Sequence, residues 1–521
     1  MKLHLLKTIR LFFALVFFLT ITFFFCDFAG LFPRSISNLM RIQFVPALLT
    51  GSISILIALV LLTFLMGRIY CSIICPMGVF QDIIAWFAQR SQKKKHRYRY
   101  RKSVPILRYT LLAIFALSLI LHAFPFLTFP ALLLDPYSNY GRIGVSIFRP
   151  IVVEGNNLLN WFAMKFNSYH FYQVTLHTVE ISSFLLALAV LLTVGIMAWR
   201  KGRLFCNTIC PVGSLLGLIS RGALFRMVID PSKCNHCGMC ERSCKSECIN
   251  SKERAIDFSR CVTCFNCLGQ CRKEQAMSFG WRNKFAGSKE KESVKTAPVN
   301  SSRRTFLTTS AAITASIPFF PAWATAGKTV DITKLTPITP PGSKSLEHFK
   351  SHCTACHLCV THCPQQVLKP AGFNFGLGYA FKPRMVYYEM AFCNYHCTIC
   401  SNICPNGAIQ KLTVDEKRVT QIGIAQFEQS RCIVATEHTS CGACSEHCPV
   451  QAVRMEPYLN GLTLPHVYPE FCIGCGGCES ICPARPVKAI NVLANAVHRK
   501  AQLPKEEKTD PTKPEKIDFG F

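Results

Sequence analysis

The residues of this sequence most able to do chemistry are its cysteines, which number 30 among 521 residues and fall in tight runs. Residues 234–244 read CNHCGMCERSC and residues 261–271 read CVTCFNCLGQC, so both runs have the spacing C-x2-C-x2-C-x3-C. This spacing is typical of a pair of [4Fe-4S] clusters in which the fourth cysteine of each run binds the other cluster. The expected ligand sets are Cys234, Cys237, Cys240 and Cys271 for one cluster, and Cys261, Cys264, Cys267 and Cys244 for the other.

Four more cysteine runs follow in the second half of the chain, and each ends in Cys-Pro. Their sixteen thiols predict four further [4Fe-4S] clusters, which brings the total to six. Zinc is the alternative, but zinc sites usually combine two separated C-x2-C pairs. The spacing does not tell which runs exchange their fourth cysteine. The sixteen ligands are Cys353, Cys356, Cys359 and Cys363; Cys393, Cys397, Cys400 and Cys404; Cys432, Cys441, Cys444 and Cys448; and Cys472, Cys475, Cys478 and Cys482.

The first of these runs opens with CTACH, which also matches the attachment motif of a c-type haem with His357 as axial ligand. Cys359 and Cys363 complete the iron–sulfur spacing, and haem attachment would leave them without a role. The iron–sulfur interpretation is therefore the one that we expect.

Six cysteines remain outside these runs, and four of them lie in a repeat. GRIYCSIICPMG at residues 67–78 returns as GRLFCNTICPVG at residues 202–213. Three roles are open for Cys71, Cys75, Cys206 and Cys210: ligands of an additional metal centre, redox-active thiols, or structural residues at a helix break. A thiol at a helix start near an arginine should have a lowered pKa.

The elements that must position these cysteines include four apolar segments, at residues 11–28, 45–66, 106–129 and 181–199, which predict membrane spans. Lys and Arg are concentrated at the N-terminus, between the second and third segments, and after the fourth, which puts both ends of this unit in the cytoplasm. The repeats would then lie at the cytoplasmic ends of spans two and four. Each Cys-Pro should break the helix, and a new helix should follow along the inner membrane surface.

A second targeting signal lies between the two sets of cysteine runs. Residues 301–328 read SSRRTFLTTSAAITASIPFFPAWATAGK, with paired arginines, a modestly apolar stretch and Ala-Thr-Ala. This pattern predicts a twin-arginine export signal or, if it is retained, a fifth span. The iron–sulfur domain after it would then be exported already folded, to the periplasm.

The predicted fold class is a membrane α-helical bundle with two α+β ferredoxin-like domains. Its parts are a four-span domain at 1–222, a cytoplasmic two-cluster domain at 223–285, a linker at 286–302, the signal or fifth span at 303–328, a linker at 329–344, a periplasmic four-cluster domain at 345–500 and a disordered tail at 501–521.

Together these motifs resemble a known pair of proteins. Residues 1 to about 285 resemble the NapH-type quinol dehydrogenase membrane subunit, whose architecture is shared by NosR and CcoG-type proteins. Residues from about 301 to 500 resemble NapG, the exported four-cluster ferredoxin that accompanies it. The resemblance implies a bacterial inner-membrane oxidoreductase component that oxidises a quinol and passes electrons to a periplasmic reductase or cytochrome, with the twin-arginine translocase as a partner during biogenesis.

Two other functions remain open: a conduit that takes electrons from a cytoplasmic donor without a quinone, and a maturation factor for a periplasmic metalloenzyme. Nucleic-acid binding is not expected, although the formal net charge is +29, because the basic residues lie mainly beside the apolar segments. His122, Asp135, Tyr137 and Glu180 are candidates for handling quinol protons, but a structural role is expected for each.

Overall fold

A computed structural model describes residues 2–91, 98–121, 128–176, 180–271, 276–281, 336–388 and 390–503. Several predictions lie outside these described residues: the linker at 286–302, the twin-arginine segment, most of the linker at 329–344, nearly all of the tail, and His122.

The first part of the chain is helical, and its helices begin and end at residues that suit those positions. Gly67 and Gly202 end the helices that lead directly into the two repeats, with φ of +74° and +63°, a conformation that glycine adopts most easily. The helices are α1 (Lys2–Cys26), α2 (Ser37–Arg41), α3 (Phe44–Leu49), α4 (Ile53–Met66), α5 (Tyr70–Ile73), α6 (Pro76–Ser91), α7 (Pro105–Ile120), α8 (Thr128–Leu134), α9 (Pro136–Ile143), α10 (Arg149–Lys165), α11 (Ile181–Lys201), α12 (Leu204–Thr208) and α13 (Pro211–Ser220), with a π-helical turn at Gly144–Phe148.

The four-span prediction is supported for two segments only. Within the described residues, α1 and α11 are long and apolar enough to cross a membrane. The second predicted span is divided into α3 and α4 at Gly51, whose φ is +66°. The third is the 16-residue α7. Hydropathy alone could not show these interruptions, because the interrupted segments are as apolar as continuous ones.

The first ferredoxin-like domain follows α13 as a small α+β unit. Its outer strands, β1 (Phe225–Ile229) and β4 (Met277–Trp281), pair antiparallel, and between them lie β2 (Ile249–Asn250), β3 (Ala255–Ile256) and the short helix α14 (Met239–Arg242). The two cysteine runs are thus held inside a frame closed by β1 and β4.

The second ferredoxin-like domain has three antiparallel strand pairs, β5 with β6, β8 with β9, and β7 with β10. Its helices are short and mostly follow a cysteine of a run. The elements are α15 (Leu346–His352), α16 (Leu358–Thr361), β5 (Leu368–Pro370), β6 (Pro383–Met385), α17 (Ile399–Ile403), α18 (Val414–Arg418), β7 (Thr420–Phe427), α19 (Ile433–Thr436), α20 (Ala443–Glu446), β8 (Val453–Pro457), β9 (Thr463–Val467), α21 (Gly477–Ile481) and β10 (Ile490–Lys500).

The two ferredoxin-like domains lie at opposite ends of α1. Leu6 packs on the core of the first domain, and the ring of Phe24 lies 4.3 Å from that of His362 in the second. These two positions are roughly 27 Å apart along an α-helix. Helix α11 runs between the same domains in the opposite direction. At its start, Glu180 and Ser182 lie beside Gly372 of the second domain, and just after its end Arg203 donates its amide N–H to the carbonyl of Lys245 in the first domain.

Helices α6 and α13 begin at Pro76 and Pro211, as predicted. Helix α6 has a buried face. It packs between α1 and α11, and its buried face carries Gln81 and Asp82. The Asp82 carboxylate is 2.8 Å from Arg10, 2.7 Å from Arg203 and 3.5 Å from Lys245. One carboxylate therefore ties α6 to α1, to the second repeat and to the first ferredoxin-like domain.

Helix α10 and the π-helical turn before it were not anticipated from hydropathy. Large apolar side chains on α10 are exposed, among them Ile151, Leu158 and Trp161. Exposed apolar side chains also line α1, α4, α7 and α11. Apolar surface on this scale marks a contact with lipid or with another protein.

We predict that Asp82→Asn strongly destabilises the protein, because it leaves Arg10, Arg203 and Lys245 buried without a counter-charge. Breaking a buried ion pair in this way costs about 3–5 kcal/mol, which unfolding midpoints of the full chain in detergent would measure. Asp415→Asn is the matched control, since its pair with Arg418 is exposed and is worth about 1 kcal/mol or less. Equal losses in the two variants would contradict this role for Asp82.

Candidate iron–sulfur sites

The two ligand sets expected in the first ferredoxin-like domain are brought together by the fold. One cavity is lined by the first set and a second cavity by the other, so the fourth cysteine of each run does cross to its neighbour. The sets are Cys234, Cys237, Cys240 and Cys271, and Cys244, Cys261, Cys264 and Cys267.

The second domain exchanges the fourth cysteine in the same way, first run with second and third with fourth. Two of its four sets line cavities, and the other two are recognised because their thiols interact electrostatically within the set. The sets are Cys353, Cys356, Cys359 and Cys404; Cys363, Cys393, Cys397 and Cys400; Cys448, Cys472, Cys475 and Cys478; and Cys432, Cys441, Cys444 and Cys482.

These four sets stand in series. The first two are joined by their exchanged cysteines. The amide of Cys393 donates to the carbonyl of Cys475, at 2.9 Å, which joins the second set to the third. Cys478 interacts electrostatically with Cys444, which joins the third to the fourth.

The backbone of the regular runs fits iron–sulfur clusters. In four runs the residues on both sides of the second cysteine have positive φ, for example His236 with Gly238 and Gly474 with Gly476. Alternation of this kind turns backbone N–H groups inward and forms a concave anion site. Amide N–H groups donate to cysteine sulfur as well, from Ala452 to Cys448 at 3.1 Å and from Ala425 to Cys472 at 3.4 Å. Such hydrogen bonds are typical of cluster ligands.

His357 has a place in this loop and not in a haem site. It is one of the positive-φ residues of the first run, with φ of +63°. Its ring is fully buried, with Nε2 2.8 Å from the carbonyl oxygen of Phe381. Burial lowers the pKa of His357 to about 4. Cys353 and Cys356 belong to a four-cysteine set, so the iron–sulfur interpretation of CTACH agrees with the geometry.

Cys248 is a neighbour that spacing did not reveal. It lines the cavity of the second ligand set, and its sulfur is 3.5 Å from that of Cys244. This contact lowers the pKa of Cys244 to about 7. The proximity depends on the turn that precedes β2, which gives no signal in the cysteine pattern.

The first glycine of each repeat explains how the repeats meet the first ferredoxin-like domain. A Cβ atom on Gly67 would lie 2.9 Å from Oγ1 of Thr263, and one on Gly202 would lie 2.5 Å from the carbonyl oxygen of Lys245. Each glycine therefore allows one cysteine run to dock directly on the end of a long helix.

The arginine and the last glycine of each repeat form a crossed pair. Arg68 donates to the carbonyl of Cys206 at 3.1 Å, and Arg203 donates to the carbonyl of Cys71 at 2.6 Å. The guanidinium group of Arg68 lies against Gly213, where a Cβ atom would be 2.8 Å away, and that of Arg203 lies against Gly78, where a Cβ atom would be 3.2 Å away. The two repeats are thus related by a pseudo-twofold axis, and each arginine holds the other repeat.

The pseudo-twofold brings the four cysteines of the repeats together. Cys71, Cys75, Cys206 and Cys210 are all buried, and all six pairs among them interact electrostatically. We call this group the repeat quartet.

Among the described candidates for quinol protons, Asp135 has a structural role. The Asp135 carboxylate caps α9, accepting from the amides of Tyr137 and Ser138, each at 3.1 Å. Tyr137 is buried beside Cys356. Glu180 lies against the second ferredoxin-like domain, near Gly372 and Arg384.

The pairing of runs predicts how ligand losses combine. Cys353→Ser with Cys404→Ser removes two ligands of one set, so the double variant should lose about four irons, the content of one [4Fe-4S] cluster. Cys393→Ser with Cys404→Ser removes one ligand from each of two sets, so this double variant should lose about eight irons. Iron analysis and EPR of the reduced full-length proteins would measure both. The reverse result, with about eight irons lost by the Cys353 and Cys404 variant and about four by the Cys393 and Cys404 variant, would contradict the exchange.

Comparisons with known proteins support the iron–sulfur interpretation. Residues 48–95, 183–230 and 398–417 match the model of a 4Fe-4S binding domain, and residues 438–489 match that of a 4Fe-4S dicluster domain. The first two segments each contain one repeat. No solved structure matches the chain.

Among curated proteins, the chain is similar to three ferredoxin-type proteins. It is 29% identical to NapF of Escherichia coli K12 over 29% of this chain and 84% of the relative. It is 30% identical to NapG of the same strain over 28% of this chain and 65% of the relative. It is also 29% identical to MauM of Methylobacillus flagellatus, a methylamine utilization ferredoxin-type protein, over 28% of this chain and 64% of the relative. The chain is an iron–sulfur electron-transfer protein related to these Nap and Mau ferredoxin-type proteins.

Proposed function

We propose that this protein is a multi-pass membrane protein that oxidises a quinol and delivers the electrons, through six [4Fe-4S] clusters, to a periplasmic reductase or cytochrome. The position of the two ferredoxin-like domains at opposite ends of α1 carries this proposal. The roughly 27 Å between Leu6 and Phe24 is close to the thickness of a bilayer hydrocarbon core, about 30 Å. The exposed apolar side chains of α1, α4, α7 and α11 lie between the two domains.

The side chains at each end of this unit support the same orientation. The first ferredoxin-like domain lies at the N-terminal end of α1, next to Arg101, Arg200 and Lys201. Basic residues of this kind favour the cytoplasmic side of a membrane. The second domain would then face the periplasm, which agrees with the twin-arginine pattern in the sequence before it.

A [4Fe-4S] cluster bound to four thiolates takes up and releases single electrons. The protein itself holds neighbouring ligand sets next to each other. The exchanged cysteines hold neighbouring sets side by side, and the hydrogen bond between Cys393 and Cys475 fixes the two halves of the second domain against each other.

A second candidate function is favoured by a specific observation. Arg68 contacts the repeat quartet and also donates to the carbonyl of Ser259, two residues before Cys261, at 3.1 Å. The quartet therefore lies directly against the first ferredoxin-like domain. This continuity suits a conduit that takes electrons from a cytoplasmic donor without a quinone.

Reduction by quinol separates the two candidates. We predict that a menaquinol analogue reduces the clusters of the purified full chain in nanodiscs, seen as loss of their visible absorption and as EPR signals. Dithionite is the control that shows that the clusters are reducible. Reduction by dithionite but by no quinol would exclude quinol oxidation. Electron transfer from a reduced low-potential protein donor in quinone-free nanodiscs would then favour the conduit.

A further inference from the structure

The repeat quartet has features that neither packing nor a disulfide explains. Its four thiols are buried and mutually close, yet all remain free cysteines in the structure. Two of the most deeply buried side chains of the protein, Arg68 and Arg203, are aimed at them. Structural helix breaks would need neither the thiols nor the charges.

Each sulfur of the quartet has an N–H donor. Gln81 Nε2 donates to Cys206 Sγ at 3.0 Å, and the Gly213 amide donates to Cys210 Sγ at 3.3 Å. The other two donors serve the cysteines of the first repeat. The amide of Gly78 donates to Cys75, as that of Gly213 does to Cys210, and Arg68 Nη2 lies 3.9 Å from Cys71 Sγ. Thiolates bound to iron receive hydrogen bonds of this kind, as the ferredoxin-like sets of this chain do.

Among the described residues, the cations around the quartet outnumber the carboxylates, although Cys264 of the neighbouring ferredoxin-like set also faces Arg10 and Lys245, and Cys261 faces Arg68. Arg10, Arg203 and Lys245 share the single carboxylate of Asp82. The oxygens that accept from Arg68 are the carbonyls of Cys206 and Ser259 and the side chain of Asn207, all uncharged. Among the described residues, Nη2 of Arg203 and Nε of Arg68 have no hydrogen-bond partner. Burying such an excess of positive charge is costly unless a negative group compensates it.

The size of the site favours a cluster over a single ion. In the part of the chain that the structure describes, no group of three or more His, Cys, Asp or Glu side chains is arranged around one metal ion. The ferredoxin-like sets are not arranged around a single ion either, and their cysteine spacing is typical of clusters. The quartet resembles those sets in thiol number and N–H donors.

We propose that Cys71, Cys75, Cys206 and Cys210 bind one further iron–sulfur cluster, which relays single electrons between the two ferredoxin-like domains. The relay rests on the proposed electron-transfer function, whereas the ligand set does not depend on it. The negative charge of a cluster with four thiolates would compensate Arg68 and Arg203.

The quartet stands between the two domains. On one side, Arg68 joins it to Ser259 and so to the set that contains Cys261. On the other side, the buried Tyr70 interacts electrostatically with Cys71, Cys75 and Asp135. Asp135 is bonded to Ser138, whose hydroxyl contacts Thr354 beside Cys353, at 2.6 Å.

The position of the quartet along the axis of α1 agrees with a place between the two domains. Gln81, which contacts Cys206, lies between Asp82 and Phe80 in α6. Asp82 reaches Arg10, and the ring of Phe80 packs on Tyr140, whose hydroxyl meets Thr22. The quartet therefore lies between the levels of Arg10 and Thr22, inside the membrane-length part of α1 and not at its end.

The electron balance of the relay is simple. One electron that enters the quartet centre oxidises its donor centre by one electron. The same electron, on leaving, reduces the set containing Cys353 by one, so no proton or further reactant is required.

Iron content tests the site. We expect the full chain in detergent to contain about 24 irons in its six ferredoxin-type clusters plus two or four more, depending on the size of the seventh. Replacing all four quartet cysteines by serine should remove only that excess and leave the EPR signals of the other clusters. The matched control is Cys26→Ser, a buried cysteine outside every set, which should lose none. An unchanged iron content in a folded quartet variant would overturn the proposal.

A milder variant keeps the test decisive if the quadruple variant does not accumulate. Gln81→Met removes the N–H donor to Cys206 but keeps the side-chain volume. One EPR-active centre should then titrate at a lower potential while the others stay unchanged, because hydrogen bonds to the sulfurs stabilise the reduced state. Gln429→Met, at an exposed amide, should shift none. An unshifted titration for Gln81→Met would also overturn the proposal.

The relay and the proposed function can fail separately. In nanodiscs, freeze-quench EPR would follow the reduction of the second domain after the first has been reduced. Loss of this transfer in the quartet variant supports the relay, and transfer at the wild-type rate contradicts it. If no quinol reduces the clusters, but the extra iron is present and electrons still pass between the domains, quinol oxidation is refuted and the proposed quartet centre is not.

Discussion

The arrangement of the helical half depends on two buried guanidinium groups that cross a pseudo-twofold axis. Arg68 and Arg203 each bind the backbone of the other repeat, and the glycines at 78 and 213 leave the space through which they pass. A side chain at either glycine would meet backbone or guanidinium atoms at less than van der Waals distance. The crossing holds four thiols in one buried place, and it concentrates positive charge there. Both consequences come from one short motif that occurs twice.

The ligand sets of the first ferredoxin-like domain could be predicted from the sequence because each run is regular and the two runs are adjacent. In the second domain the sequence supplied the sixteen cysteines but not their grouping. The runs at Cys393 and Cys432 have longer first gaps and lack the paired positive-φ residues of the regular runs. Their partners are determined by which strands and loops pack together, as in the contact between Cys393 and Cys475. Such contacts leave no trace in spacing.

Hydropathy predicted the helical half less well, for a physical reason. It measures how apolar a segment is, whereas the position of a helix depends on what it packs against. In α6 the periodic apolar residues suggested a helix on a membrane surface, yet its buried face carries Gln81 and Asp82, which bind Cys206 and three cations. Polar residues of this kind are buried because specific partners satisfy them. The break at Gly51 and the exposed apolar helix α10 also depend on neighbours that a hydropathy profile does not contain.

Two features, a membrane-length α1 and a thiol quartet between the levels of Arg10 and Thr22, connect the repeats with the ferredoxin-like domains. A bilayer hydrocarbon core of about 30 Å is a long distance for one electron transfer. The domains at the ends of α1 cannot approach each other, because α1 and α11 hold them apart. Short helices that turn back from Gly67 and Gly202 place Cys71 and Cys206 within that gap, with Arg68 facing one domain and Tyr70 facing the other. The redox centre proposed at that point would divide one long transfer into two shorter ones.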